Sequence, residues 1–137
     1  MTFILDTNIV SELRRIDRAN RGVVAWATAN AMDQVYLSVI TLLELERGIL
    51  GAEARGRPEA NVLRTWFDDN VRPRYGARTL PVTAEIAIQA AAFAAGRPLE
   101  LADHLIAAPA IVHDLTLVTR NTRHFTPTGV RLLNPCA

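Results

Sequence analysis

The sequence predicts an α/β sandwich around a central, mainly parallel sheet of four or five strands. Three observations predict it: short apolar runs of strand length, segments of helical periodicity between them, and polar or Gly/Pro punctuation at the junctions. With 137 residues, 50% of them hydrophobic, the chain has the length of one domain, expected to span 1–137. A chain of this size buries roughly two thirds of its unfolded surface, enough for a core without disulfide or metal staples.

The elements follow in order. Thr2 to Leu5 reads as strand one, and Asp6-Thr-Asn8 are residues that stop a strand and cap a helix. A short helix from about Ile9 to Arg14 follows, then a polar stretch and a second amphipathic segment marked by Val23, Val24, Trp26 and Ala27. Val35 to Ser38 reads as strand two. From Thr41, Leu42, Leu45 and Ile49 recur on one helical face, with Gly51 near the stop. A helix from about Pro58 to Val71 turns Leu63, Trp66 and Phe67 inward and is ended by Pro73 and Gly76. Thr79 to Val82 reads as strand three. Thr83 caps an Ala-rich helix to about Ala95, and Gly96-Arg-Pro98 breaks the chain. Leu101 to His113 is helical, with Pro109 expected to bend or split it. Leu115 to Thr119 reads as strand four, Arg120 to Thr128 as a polar loop, and Val130 to Leu133 as strand five.

Composition narrows the functional classes. Fifteen basic residues, all Arg, stand against 14 acidic ones, so the net charge of +1 gives no global field for nucleic acid or membrane. Cys136 is the one thiol and has no partner for a disulfide or a cysteine-based zinc cluster. No apolar run approaches the roughly 20 residues of a membrane span. A soluble, cytoplasmic protein without membrane association is the expectation.

In a parallel sheet, ligands bind beyond the carboxyl ends of the strands, where strand order reverses. Asp6 follows strand one and either caps the next helix or faces that rim. Asp103 lies in the first turn of its helix, where the helix dipole alone would favour a carboxylate. Glu44 points away from the Leu42, Leu45 and Ile49 face, with Arg47 at i+3 for a surface ion pair and Gly48 leaving room for a close approach. Glu46 falls in the apolar arc and reads as snorkelling, as meeting a subunit partner, or as a rival site carboxylate. Thr119, Arg120, Asn121, Arg123 and His124 follow strand four. If Asp6, Glu44, Asp103 and Asn121 converge, the carboxylates repel unless a cation holds them. Oxygen donors of this kind suit Mg²⁺ or Mn²⁺, and a phosphodiester is the natural substrate class.

Ile4-Leu-Asp-Thr-Asn8, Ser38-Val-Ile-Thr41 with Glu44-Leu45 and Gly48, Leu101 to Ala108, Leu117 to Phe125, and Leu133-Asn-Pro135 together resemble the PIN-domain family. The closer likeness is to VapC-type ribonuclease toxins of toxin–antitoxin pairs, including the FitB-like branch, and it spans nearly the whole chain. The resemblance implies a PIN-like α/β/α fold and a metal-dependent endoribonuclease. Its catalytic residues would be Asp6, Glu44, Asp103 and Asn121, with Asp6 and Asp103 as the chief Mg²⁺ ligands and Mn²⁺ as the substitute. Thr7, Asn8 and Thr119 would orient the ligands, and Arg47, Arg120 and Arg123 would meet RNA phosphates. Cleavage by a metal-activated water would leave 5′-phosphate and 3′-hydroxyl ends. The implied partners are a small antitoxin of the VapB or FitA type, operator DNA reached only through it, and a second copy of the chain, making a homodimer and a heterotetramer or larger complex.

The chain departs from that pattern where many relatives carry a further acid: Asn121 and His124 stand there, and His124 reads as a loop residue. A second reading is therefore a weakly catalytic or non-catalytic PIN subunit acting within an autorepressing, DNA-binding complex. A third is a phosphoacceptor or phosphatase using Asp6 as nucleophile. Asn8 stands where that chemistry wants a second Asp, and the chain has no Lys to steady a phosphorylated carboxylate.

Overall fold

The computed structural model describes residues 1–98 and 100–136. Five strands form one sheet: β1 (Phe3–Leu5), β2 (Val35–Ser38), β3 (Thr79–Leu80), β4 (Thr116–Val118) and β5 (Leu132–Leu133). All five are parallel, in the order β3-β2-β1-β4-β5, at the upper end of the expected count. Strand order reverses between β1 and β4. Their register pairs Leu5 with Val118, so Asp6 and Thr119 emerge side by side at the carboxyl rim.

Period-2 alternation divides the apolar side chains between two cores. Phe3 and Leu5 face one layer with Ile9 and Val10 of α1 (Thr7–Leu13), Val23 of α2 (Arg21–Ala29), and Leu45 and Ile49 of α3 (Val39–Ala54). Ile4 and Leu117 face the other, made by α6 (Ala84–Phe93) and α7 (Leu101–Val112). The result is helices on both faces of a buried parallel sheet. Phe67 is buried, and Trp26 and Trp66 pack partly buried against the first core.

Three local expectations give way. The helix from Pro58 does not end at Pro73. α4 (Ala60–Trp66) widens into a π-turn over Phe67–Val71, and α5 (Arg72–Tyr75) continues it, with Pro73 in the first turn, where a missing N–H costs little. That path puts Phe67, Val71 and Tyr75 against the first core. Pro109 does not split α7; it is buried among Ala107, Ala108 and Ala110, and its carbonyl accepts the N–H of His113 to close the last turn. Residues 120–128 are not plain loop. They form the short α8 (Thr122–Phe125) and a 3₁₀ turn (Thr126–Thr128), stopped by Gly129 at φ 73°, because Phe125 is buried in the second core.

The capping expectations at Asp6 and Thr83 hold, and Ser38, read only as the end of strand two, caps a helix that starts at Val39, before the expected Thr41. Asp6 caps α1, Ser38 caps α3 and Thr83 caps α6, each with a side-chain oxygen accepting a backbone N–H. Among the described residues, no helix is long and apolar enough to cross a membrane. Cys136 is a free thiol.

Candidate metal and nucleic-acid site

The carboxyl rim between β1 and β4 is built around Asp6, only 6% exposed. Its Oδ1 accepts the Thr7 N–H at 2.8 Å, and its Oδ2 accepts the Thr119 hydroxyl at 2.7 Å and the Asn8 amide at 3.3 Å. Its own N–H bonds Val118 O at 2.9 Å, which ties the residue to β4 through backbone as well as side chain. Burial pushes the Asp6 carboxyl above the usual carboxylate range. The Thr119 hydroxyl and Thr7 amide pull it back down, and the charges of Asp103 and Glu44 add to the rise. Both of those carboxylates are therefore close enough to Asp6 to repel it.

Glu44 is reached through Thr7. The Thr7 hydroxyl donates to Glu44 Oε1 at 2.6 Å and lies 3.1 Å from the buried Thr41 hydroxyl. Glu44 is thus a half-buried carboxylate turned to the start of α1, and no ion pair joins it to Arg47 among the described residues. Gly48 has open space where a Cβ would stand. Glu46 is corrected outright: it forms a fork-to-fork pair with Arg64 of α4 at 2.6 and 2.8 Å, which holds its carboxyl below the usual range. It braces α3 against α4 and takes no part in the rim.

Asp103, in the first turn of α7, lines a cleft of about 980 Å³ with Arg97, Arg120, Asn121, Arg123 and His124. His124 is not a bystander. Its Nε2 lies 2.7 Å from Asp103 Oδ2 and 2.8 Å from Glu100 Oε2, and one donor atom from each of the three falls within 4.8 Å of the others. Asn121 is exposed; its N–H donates to the Thr119 hydroxyl at 3.0 Å, and its carbonyl accepts the His124 N–H. Arg123 lies exposed on the cleft, whereas Arg47 is exposed on α3 and is not part of the cleft wall. Arg120 is paired: its Nη1 lies 2.6 Å from Glu12 Oε2.

The structure therefore brings Glu44 and Asp103 each close enough to Asp6 for their charges to act on it, with Thr7, Asn8 and Thr119 as hydrogen-bonding supports of Asp6, and Thr7 also of Glu44. Asn121 is left at the margin. Sequence reasoning missed Glu12, Glu100 and Thr41, and placed His124 outside the site. Thr41 and Glu44 share a helix face at i+3, a signal that was available. Glu12 and Glu100 carry no local signature. The donor set is oxygen-rich, and the charges of Asp103 and Glu44 add to the raised proton affinity of Asp6, which is the chemistry of a site for a hard divalent cation.

Similarity to known proteins agrees with this geometry. Residues 3–128 match the PIN domain family. Toxin FitB of Neisseria gonorrhoeae is 36% identical over 96% of both chains, and the VapC ribonuclease Y4jK of Sinorhizobium fredii is 32% identical over 96% of both. The solved structure of FitAB bound to an IR36 DNA fragment has a TM-score of 0.86 at 33% identity, covering 99% of this chain and 96% of the other. The strand order, the carboxylates at the switch point and the match over most of the sequence lead to one assignment: the chain belongs to the PIN-domain family.

Proposed function

We propose that this chain is the toxin of a toxin–antitoxin pair, an endoribonuclease that hydrolyses RNA with Mg²⁺, or Mn²⁺ in its place, at Asp6, Glu44 and Asp103. The observation that carries the reading is the convergence of three carboxylates, far apart in sequence, at the point where strand order reverses. Asp6 and Asp103 would hold the cation, and Glu44 would complete the set directly or through water. When bound, the cation would supply an activated water and neutralise charge at the phosphorus. The chain's own contribution is orientation: Thr119 and the Thr7 amide fix Asp6, and the Thr7 hydroxyl fixes Glu44. Arg120 and Arg123, on the wall shared with Asp103, would take RNA phosphates; Arg47 lies apart from them. The names of the relatives support the reading, one called a toxin and one a ribonuclease, and FitAB supports an antitoxin partner through which operator DNA is reached.

Supporting hydrogen bonds around metal ligands are worth about 10- to 100-fold in affinity. Thr119→Val, which removes the hydroxyl donated to Asp6, is expected to weaken Mn²⁺ binding by that factor with the fold retained. A titration followed by Mn²⁺ paramagnetic relaxation, beside a melting curve, checks it.

One contact favours a second reading, a weakly catalytic subunit acting within a DNA-binding complex. His124 occupies Asp103 Oδ2, and Asn121 brings no charge in place of a further acid. Purified wild type and Asp103→Asn, incubated with a structured RNA pool plus Mg²⁺, Mn²⁺ or chelator, decide between the two. Discrete cuts with 5′-phosphate ends that need metal and disappear in the variant support the ribonuclease. Intact RNA under every condition, with antitoxin removed, favours the binding subunit.

A further inference from the structure

We propose that Glu12, outside the carboxylate set, is a positioning residue that holds Arg120 in the cleft wall as a fork for an RNA phosphate; the proposal rests on the ribonuclease reading. Glu12 lies on α1 one turn beyond Asn8, and its side chain is only 12% exposed. Its Oε1 accepts the Asn20 N–H at 2.7 Å. Its Oε2, sealed from solvent, lies 2.6 Å from Arg120 Nη1 but off the line of a hydrogen bond, so the contact is ionic.

Arg120 is held from its backbone outward. Thr119 before it reaches Asp6, Asn121 after it bonds back to the Thr119 hydroxyl, and Asn134 Nδ2 donates to the Arg120 carbonyl at 3.5 Å. The side chain, 46% exposed, lines the same cleft as Asp103 and Arg123. Glu12 is its only ionic partner among the described residues.

Ion pairs taken out of water add little to stability, because desolvation offsets the attraction. What such a pair provides is orientation. A guanidinium on the same cleft wall as Asp103 and free to swing would be drawn to that carboxylate and would compete there with a cation. Glu12 supplies the opposing carboxylate on the α1 side, ties down one edge of the fork and leaves the rest for another anion. A preset fork loses less freedom on meeting a phosphate than a mobile one, and Lys cannot reproduce its planar geometry.

The test uses an Asp103→Asn chain, so that binding is read without turnover. Fluorescence anisotropy with a labelled single-stranded RNA is recorded across a salt series. Arg120→Ala is expected to weaken binding about tenfold and to reduce the salt slope by about one. Glu12→Gln, whose amide oxygen still accepts from Asn20, is expected to lose several-fold, and the double variant no more than Arg120→Ala alone. Arg120→Lys leaves Glu12 and its bond to Asn20 in place and is expected to lose several-fold as well, which keeps the test decisive should the Glu12 variant fail to fold. If Arg120→Ala weakens binding while Glu12→Gln and Arg120→Lys bind like the parent, or if the single losses multiply in the double variant, the positioning role is overturned and the ribonuclease reading stands. No RNA binding by the Asp103→Asn chain overturns both.

Discussion

Asp6→Asn is expected to lower metal-dependent RNA cleavage by more than about a hundredfold, the upper end of what changes in supporting residues cost, while the protein stays at least as stable at neutral pH. The reason lies in the direction of the Asp6 shift. Burial raises its proton affinity above that of the unfolded chain, so the folded state binds a proton more readily. The contribution of Asp6 to stability is therefore greatest below the ordinary carboxylate range. It falls as pH rises from the unfolded to the folded pKa and levels off above. Asn carries no charge at any pH, so the variant escapes that loss. Melting temperatures of both proteins, taken in chelator from acid to neutral pH, should diverge in the variant's favour across this window. A variant that loses ground to wild type as pH rises would show that the Thr119 and Thr7 bonds outweigh burial.

Phe125→Ala is expected to cost about 3–5 kcal/mol, a large share of the roughly 5–15 kcal/mol that holds a domain folded. Phe125 is 1% exposed and is the buried residue of the four-residue α8. Nothing in so short a helix stabilises it on its own, so the anchor must come from tertiary burial. Its ring also meets His124 edge-on, with centroids 5.3 Å apart, and so supports the side chain that contacts Asp103. Denaturant unfolding should show a lower midpoint, and the cleft wall from Asn121 to Thr128 should lose amide protection first. A cost below about 1 kcal/mol would mean that neighbouring side chains refill the space.

The sequence was legible where one physical rule acts alone. All five strands and the caps at Asp6 and Thr83 followed from apolar runs stopped by side chains that bond backbone N–H groups. The place of Asp6 followed from topology, because parallel strands deliver their carboxyl ends to one rim, and Glu44 and Asp103 act on it from α3 and α7. Legibility failed where tertiary contact overrode local preference. Pro73 is tolerated in the first turn of α5 after the π-turn, and Pro109 sits inside α7 because burial of the small side chains around it offsets a missing hydrogen bond. Glu46 looked like a rival ligand because Arg64, 18 residues away, is invisible as its partner in a linear reading. Glu12 and His124 were missed for the same reason: each acquires its role from a residue on a distant element.

The sheet order has a consequence for synthesis. Strand β1, which Asp6 follows, sits between β2 and β4, so one of its two neighbours is made only after β2 and β3. Asp103 and Thr119 arrive equally late. A nascent chain bearing Asp6 and Glu44 alone holds an open sheet edge and an incomplete set of carboxylates. Such long-range pairing is slow to form and depends on most of the chain being present. Under the proposed function, a chain made only as far as β3 lacks Asp103 and Thr119, and the carboxylate set is completed only when α7 and β4 dock.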